Sequence, residues 1–399
     1  MHIVVLGGGG AMGRITVRAL AEDARVLRVT VADLSEAAAQ KTIDWLEEGR
    51  EKAVAAACDV RDATGLSNLL GGAGVVLNAT DYPFNLDVMR AALAAKVPYA
   101  DLGGLFHMTR KQYELHGAFA EAGLTAVLGI GSTPGITNVL ARVAADQLET
   151  VERLDVRIGS ADLRSGDVPF APPYSIRTIL DECTLEPMVF AESKMHAVAP
   201  LTGQEAIAFP APVGQMTAMY TLHSEVALFP VSFGERGLKA ASFKIAFPPE
   251  FLDQLRLLVD LGIANTAPLV VRSTRKGQRV QVAPREVLVA LLQQRASSLP
   301  PGEPNDCDVL RVVATGTQAG VPMELTEEMV VLPYKPWSIG AGDLDTGVPL
   351  AIAGILLASG EARLPGAHGA ERVFDPAAFL RELARYGMHA HETLTRVIS

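Results

Sequence analysis

The chain has 399 residues, a formal net charge of −10, and 49% hydrophobic against 20% charged residues, with a mass of 42.2 kDa and a pI near 5.4. At roughly 150 residues per domain this length suits two or three domains, and the composition is that of a globular protein with a large core rather than a disordered one. Lys and Arg are dispersed and outnumbered, 35 against 45 Asp and Glu, so no basic stripe is offered to a phosphate backbone and nucleic acid is not an expected partner.

The first strand, Ile3 to Leu6, runs into Gly8-x-Gly10-x-x-Gly13, with Ala11 and Met12 inside the motif. A helix over Ile15 to Ala21 follows, and a second strand, Val26 to Ala32, closes on Asp33. Strand, glycine spacing, helix and terminal acid together form a dinucleotide-binding fingerprint. In it Gly8 is expected to permit the tight turn, Gly10 to let the backbone approach a pyrophosphate, and Gly13 to let the helix sit close to the strand. The helix N-terminus then presents free N–H groups to the anion.

Further β-α steps follow. Strands are expected at Val54 to Cys58, Val75 to Ala79, Tyr99 with Ala100, and Thr125 to Leu128, with helices from Ser35, over Ala63 to Leu70, Leu86 to Ala95 and Met108 to Ala122 between them. This alternation reads as a doubly wound parallel sheet. Past Pro134-Gly135 a helix from Ile136 to Gln147 leads into a strand-rich region: Leu154 to Ile158, Phe209 to Tyr220, Val226 to Phe233, Ser242 to Phe247, Pro268 to Ser273, and a hairpin of Val309 to Thr315 with Glu324 to Leu332. Helices at Glu250 to Leu261 and Arg285 to Ala296 would cover one face. Gly166 to Pro173 and Pro300 to Asn305 read as connections, the first long enough for a lid. The tail, Gly347 to Ala358 and Pro376 to Tyr386, returns to helical periodicity. The expected architecture is α/β: a Rossmann domain of residues 1–135 completed by 336–399, and an α+β domain of residues 136–335 with a mostly antiparallel sheet, for substrate and dimerisation.

Three separated cysteines, Cys58, Cys183 and Cys307, suit a reducing compartment and make neither a disulfide framework nor a thiolate zinc site. The N-terminus enters strand one directly, and the longest apolar run, near Leu350 to Ala358, falls short of the roughly 18 residues of a membrane span. A cytoplasmic location is expected. Apolar residues such as Phe229, Val231 and Phe233, placed on the second sheet, would give a homodimer its two-fold interface.

The segments Val5 to Gly13, Val31-Ala32-Asp33, Asp101-Leu102-Gly103-Gly104, Gly131 to Leu140 and Asp345 to Pro349 together resemble the saccharopine dehydrogenase family, most of all its bacterial lysine 6-dehydrogenase branch. The likeness spans most of the chain and is weakest over residues 155–300, where substrate would be chosen. The resemblance implies a pyridine-nucleotide oxidoreductase acting on a carbon–nitrogen bond, often dimeric. In the lysine 6-dehydrogenase branch this is oxidative deamination of an amino acid; saccharopine- and carboxynorspermidine-type reductases are the alternative, and a non-catalytic NAD-sensing protein is a third reading.

The remaining candidate residues follow from position and chemistry. Asp33, with Leu34, Ser35 and Glu36 and no base behind it, favours NAD over NADP, because a carboxylate accepts both ribose hydroxyls and repels a 2′-phosphate. Asp59 and Val60 would border the adenine, and Asn78, Ala79 and Thr80 the nicotinamide ribose. Amine oxidation needs a proton acceptor. Asp101, at the end of strand five before Gly103, is the first candidate, and His223 with Glu225, on one face if the segment is extended, the second. Tyr174, Arg177 and Thr346 are expected at the substrate, Arg177 as a bidentate partner for a carboxylate. The histidines His107, His116, His389 and His391 read as helix-face residues without zinc-ligand spacing, and no metal is expected.

Overall fold

The computed structural model describes residues 1–164, 170, 172–273, 275, 277–298 and 302–396. The lid expected over 166–173 falls largely outside these residues, as do the first two positions of the connection over 300–305. The first sheet is built from β1 (His2–Leu6), β2 (Arg28–Asp33), β3 (Ala53–Ala57), β4 (Val75–Asn78), β5 (Tyr99–Asp101) and β6 (Thr125–Val127). A seventh strand, Gly366–His368, joins beside β6, and the order is seventh-β6-β5-β4-β1-β2-β3, parallel throughout. Ile3, Val4, Val5 and Leu6 of β1 are all fully buried. Such a run, apolar on both faces, is what a central parallel strand covered by helices on each side requires. The strand order reverses between β1 and β4, so the C-terminal ends of these two strands flank the crevice where doubly wound sheets bind ligands.

The Ala341–Ser359 helix closes one face of this sheet. It has 19 residues and is long and apolar enough to cross a membrane, but 78% of its apolar window is buried inside the protein. Gly347 and Gly354 let it lie close: a Cβ on Gly347 would stand 2.5 Å from the Ile15 side chain, and one on Gly354 2.7 Å from Leu77. The Thr16 hydroxyl donates to the Gly347 carbonyl at 2.8 Å, joining it to the first helix, α1 (Ala11–Glu22). It is a core helix.

The second sheet is mixed and mostly antiparallel. Its order is Glu205–Ala208, Gln215–Tyr220, Ala240–Ala246, Thr150–Asp162, Asp306–Gln318, Val321–Val331, Ala390–Arg396. Only the Ala240–Ala246 and Thr150–Asp162 pair on this path runs parallel. The tail therefore divides. Gly366–His368 adds to the first sheet, whereas Ala390–Arg396, carrying His391 on a strand rather than a helix, adds to the second.

One expected strand is a helix. Glu225–Phe233 is helical, with Phe229 1% and Phe233 3% exposed. An unbroken apolar run of this length shows no period, and here it forms a helix buried over its first turns despite Pro230. The apolar face proposed for dimerisation is thereby used up inside the protein, leaving only Val231, 40% exposed. The Ile176–Thr184 helix, which sequence reading missed, buries Ile176, Ile179, Leu180 and Cys183 on one side. It brings Asp181 to Tyr82 of the first domain and Glu182 to His223.

Candidate active site

At the end of β1 the left-handed residue is Gly7, at φ +73°, and not Gly8. A Cβ on Gly7 would stand 2.7 Å from the Ala79 carbonyl oxygen, and Gly8 packs against Val31 instead. Gly10 caps α1, and a Cβ on Gly13 would lie 2.1 Å from the Gly7 carbonyl, so that approach of helix to turn requires glycine. The loop that includes Gly8, Gly10, Ala11 and Met12 thus sits beside Ala79 and Thr80 at the switch point of the sheet. The Asp33 carboxylate stands at its far side and accepts from the Gly9 N–H at 3.1 Å. Asn78 is buried, donates to Asn85 at 2.9 Å and accepts from the Thr80 hydroxyl at 2.6 Å, fixing the turn beyond β4. Asp59 and Val60 follow β3 at the surface, where Asp59 is clasped by Arg61 at 2.7 Å. A glycine cradle with no room for side chains, a helix N-terminus and an acid beyond the second strand fit a dinucleotide.

Asp101 is turned into the protein interior. Its carboxylate is wholly buried and receives four donors: the Tyr99 hydroxyl at 2.7 Å, Gln112 Nε2 at 2.5 Å, and the N–H groups of Gly103 and Gly129 at 2.8 Å each. Burial pushes the carboxyl up from its usual range, partly opposed by these donors. The carboxylate expected as a general base thus joins the ends of β5 and β6 through Gly103 and Gly129. Gly103, at φ +115°, turns the chain there and packs under the Pro134 ring.

The polar centre lies one step further out. The His223–Glu225 pair is real, although its segment is not extended: Glu225 opens the Glu225–Phe233 helix, and His223 stands just before it. His223 Nδ1 lies 2.5 Å from Glu225 Oε2, and Glu225 Oε1 accepts from the Thr137 hydroxyl at 3.0 Å and from the Thr133 hydroxyl. Phe243 stacks on the imidazole, with ring centroids 3.8 Å apart and planes 12° apart. On the other edge of the ring, Nε2 is 3.7 Å from Glu182 Oε1, while Glu182 Oε2 accepts from the Tyr174 hydroxyl. Ser224 Oγ lies 3.6 Å from where a Cβ on Gly103 would be, which places the cluster over the ends of β5 and β6.

Electrostatics separates the two glutamates. Burial would raise Glu225, yet the adjacent imidazolium and its hydrogen bond hold that carboxyl below its usual value. Burial pushes Glu182 up to about 7, and the more distant His223 only partly opposes this. Burial would lower His223, but Glu225, its hydrogen bond and Glu182 raise it. The imidazole is thus poised to carry a proton with Glu225 as its permanent partner.

Arg177 is not turned to this centre. It pairs with Glu286 at the surface, the carboxylate it was expected to take from a substrate being supplied by the protein. Thr346 is half-buried, donates to Asp345 at 3.3 Å, and packs against Gly131. Sequence reading missed Glu182 and Asp181. The latter accepts from the Tyr82 hydroxyl at 2.9 Å and from Arg285 at 2.6 Å. The apolar spacing of Ile176, Ile179, Leu180 and Cys183 was the available signal for both. Next to Tyr174, Pro173 lines a cavity of about 270 Å³ whose polar wall includes Asp162, Asp306, Asp308 and Asp343, with Arg164 as its cation.

Both parts of the chain match a family model. Residues 3–127 match the saccharopine dehydrogenase NADP binding domain, and residues 131–388 the saccharopine dehydrogenase C-terminal domain. The chain belongs to the saccharopine dehydrogenase family. It is an oxidoreductase of that family, and its first domain serves a nicotinamide nucleotide. The fold agrees: saccharopine dehydrogenase (L-Glu forming) from Saccharomyces cerevisiae superposes with a TM-score of 0.72 over 99% of both chains, at 18% identity. Among curated relatives, the carboxynorspermidine synthase of Vibrio cholerae is 24% identical over 97% of this chain and 96% of its own. The carboxyaminopropylagmatine dehydrogenase of Synechocystis is 24% identical over 99% of this chain and 98% of its own.

Proposed function

We propose that this protein interconverts an imine and a secondary amine, reducing the bond that joins an amine to a carbonyl-derived carbon or oxidising it in reverse. The observation that carries this is the buried His223–Glu225 dyad over the β5 and β6 ends, with Nε2 free of any hydrogen bond among the described residues. The nicotinamide, when bound, supplies the two-electron step by exchanging a hydride with the carbon bonded to nitrogen. The protein's own part is the proton. An amine gives up its carbon-bound hydride only when its nitrogen is neutral, so a base must first take the ammonium proton, and in reduction an acid must return it. Nε2 of His223 does both, and Glu225, held by Thr133 and Thr137, stabilises the imidazolium.

The relatives' names support a secondary amine over the release of ammonia expected from the lysine 6-dehydrogenase likeness. The carboxylates lining the cavity beside Tyr174 also suit a cationic ligand better than one with several carboxylates. For the cofactor, Asp33 supports NAD: its carboxylate occupies the far side of the loop and would repel a 2′-phosphate, although the matched nucleotide domain is described as NADP binding. A screen of amines with 2-oxo acids and aldehydes, following NADH and NADPH oxidation, tests the reading. Reduction of an aldehyde or ketone alone, with no amine requirement, would defeat it.

A further inference from the structure

Three carboxyl or imidazole groups meet at the candidate site, and only two of their polar atoms lack a hydrogen bond among the described residues. Both Glu225 oxygens are used, by His223 and by the two threonines. Glu182 Oε2 takes the Tyr174 hydroxyl. What remains is Glu182 Oε1 and His223 Nε2, which face each other at 3.7 Å, too far apart to bond directly. Glu182 is 3% and His223 7% exposed. Phe243 covers one face of the ring, leaving the Nε2 edge for a partner.

We propose that Glu182 is the counter-ion of the reacting nitrogen: an ammonium or iminium group occupies the gap, close to both Glu182 Oε1 and His223 Nε2. This rests on the reading of the protein as a carbon–nitrogen oxidoreductase and adds a residue to it. The charges support the assignment. Once His223 has taken the ammonium proton, the two glutamates leave the buried cluster one negative charge in excess of the imidazolium, and the cationic nitrogen of the iminium cancels it. Glu225 cannot serve, since its charge is spent on the imidazolium. Glu182, pushed up to about 7 by burial, behaves as a carboxyl short of a close cation. In the oxidative direction the ammonium proton passes to Nε2, giving a neutral amine. Once the carbon has lost its hydride the nitrogen is again cationic, as iminium, and Glu182 stabilises it. In reduction the iminium takes up a hydride at carbon, and the resulting amine receives its proton from Nε2. Tyr174, through its hydroxyl on Oε2, is a positioning residue that keeps Oε1 turned to the gap.

The test compares Glu182→Gln, which keeps the size of the side chain, with Glu182→Asp, which keeps the charge. In the parent, the KM for the amine partner should fall as pH rises through about 7, as Glu182 ionises. In Glu182→Gln that limb should disappear, the amine KM should rise at least tenfold, and the affinity for the nicotinamide nucleotide should stay within twofold. Glu182→Asp should retain the limb with an intermediate KM. A second reading needs no turnover: by NMR titration of the imidazole, the His223 pKa should fall in Glu182→Gln. An amine KM within threefold of the parent and an unchanged pH limb in Glu182→Gln would overturn the proposal while leaving the proposed function standing. A parent that turns over no amine or imine would defeat the proposed function itself, and an unmoved His223 pKa would then also remove the Glu182 pairing. Should Glu182→Gln not fold, Glu182→Asp with the parent's KM at every pH would count against the proposal.

Discussion

Asp101→Asn separates a clamp from a catalyst. The substitution is nearly isosteric, so no cavity opens, and its effect lies in the four donors that converge on the carboxylate. A carboxamide can accept on one side only. If its NH2 faces Gly103 and Gly129, two backbone N–H groups that cannot turn are left without an acceptor. If it faces Tyr99 and Gln112, the hydroxyl can rotate, but Gln112 must flip and surrender its 3.3 Å contact with Asn85. One or two buried donors are orphaned either way, at about 1–3 kcal/mol each. The expected loss is roughly 2–4 kcal/mol, or a melting temperature lower by about 5–15 °C for a domain of this size. Thermal melts followed by circular dichroism give this directly, and turnover measured well below the melt should stay within tenfold of the parent. A melt within 1 °C of the parent together with a loss of two or more orders of magnitude in rate would refute the clamp and restore Asp101 as the base.

Other consequences are as direct. Asp33→Ala should narrow or reverse the preference for NAD, read as the ratio of kcat/KM for the two cofactors; equal efficiencies in the parent would contradict the role given to Asp33. Gly13→Ala places a methyl 2.1 Å from the Gly7 carbonyl, and nucleotide binding by fluorescence should weaken at least tenfold, an unaltered Kd being the adverse result. Burial pushes the carboxyls of Glu182, Asp308 and Glu327 up to about 7, about 6 and about 8. Because these folded values lie above the unfolded ones, their contribution to stability is complete below about pH 4 and is lost as pH rises through them, so the melting temperature should fall between about pH 5 and about pH 8.5; a rise over that window would show that other groups dominate. A dimer is expected through the isolated hairpin of Leu269–Arg272 and Arg279–Val282, whose Leu269 and Val270 are each 58% exposed. Light scattering that returns 42.2 kDa at micromolar concentration would exclude it.

The parallel sheet was readable because local signals agree there: β-branched runs, glycine spacing and Asp33 each fix a short-range geometry. The second domain was readable where strands alternate, as in the hairpin of Asp306–Gln318 and Val321–Val331, and not where an apolar run has no period, as at Glu225–Phe233. Residue chemistry alone could pair His223 with Glu225, since they are neighbours in the chain. It could not show that Asp101 is saturated, because two of its donors, Gln112 and Gly129, arrive from later elements. Nor could it bring Glu182 to His223, residues far apart in the chain that meet only when the Ile176–Thr184 helix packs beside the segment preceding Glu225. Gly7 was missed for a simpler reason: in a run of four glycines, spacing cannot tell which one turns left-handed.

The central claim, hydride exchange at a carbon bonded to nitrogen, is tested most directly by isotope tracing. The protein would be incubated with nicotinamide nucleotide deuterated at C4, an amine and a carbonyl partner found in the screen, and the product examined by NMR. The account predicts one deuterium on the carbon that carries the new nitrogen bond, and its loss from the product when His223 is replaced by Gln. Deuterium on a carbon bearing oxygen, or undiminished transfer in the His223→Gln variant, would contradict it.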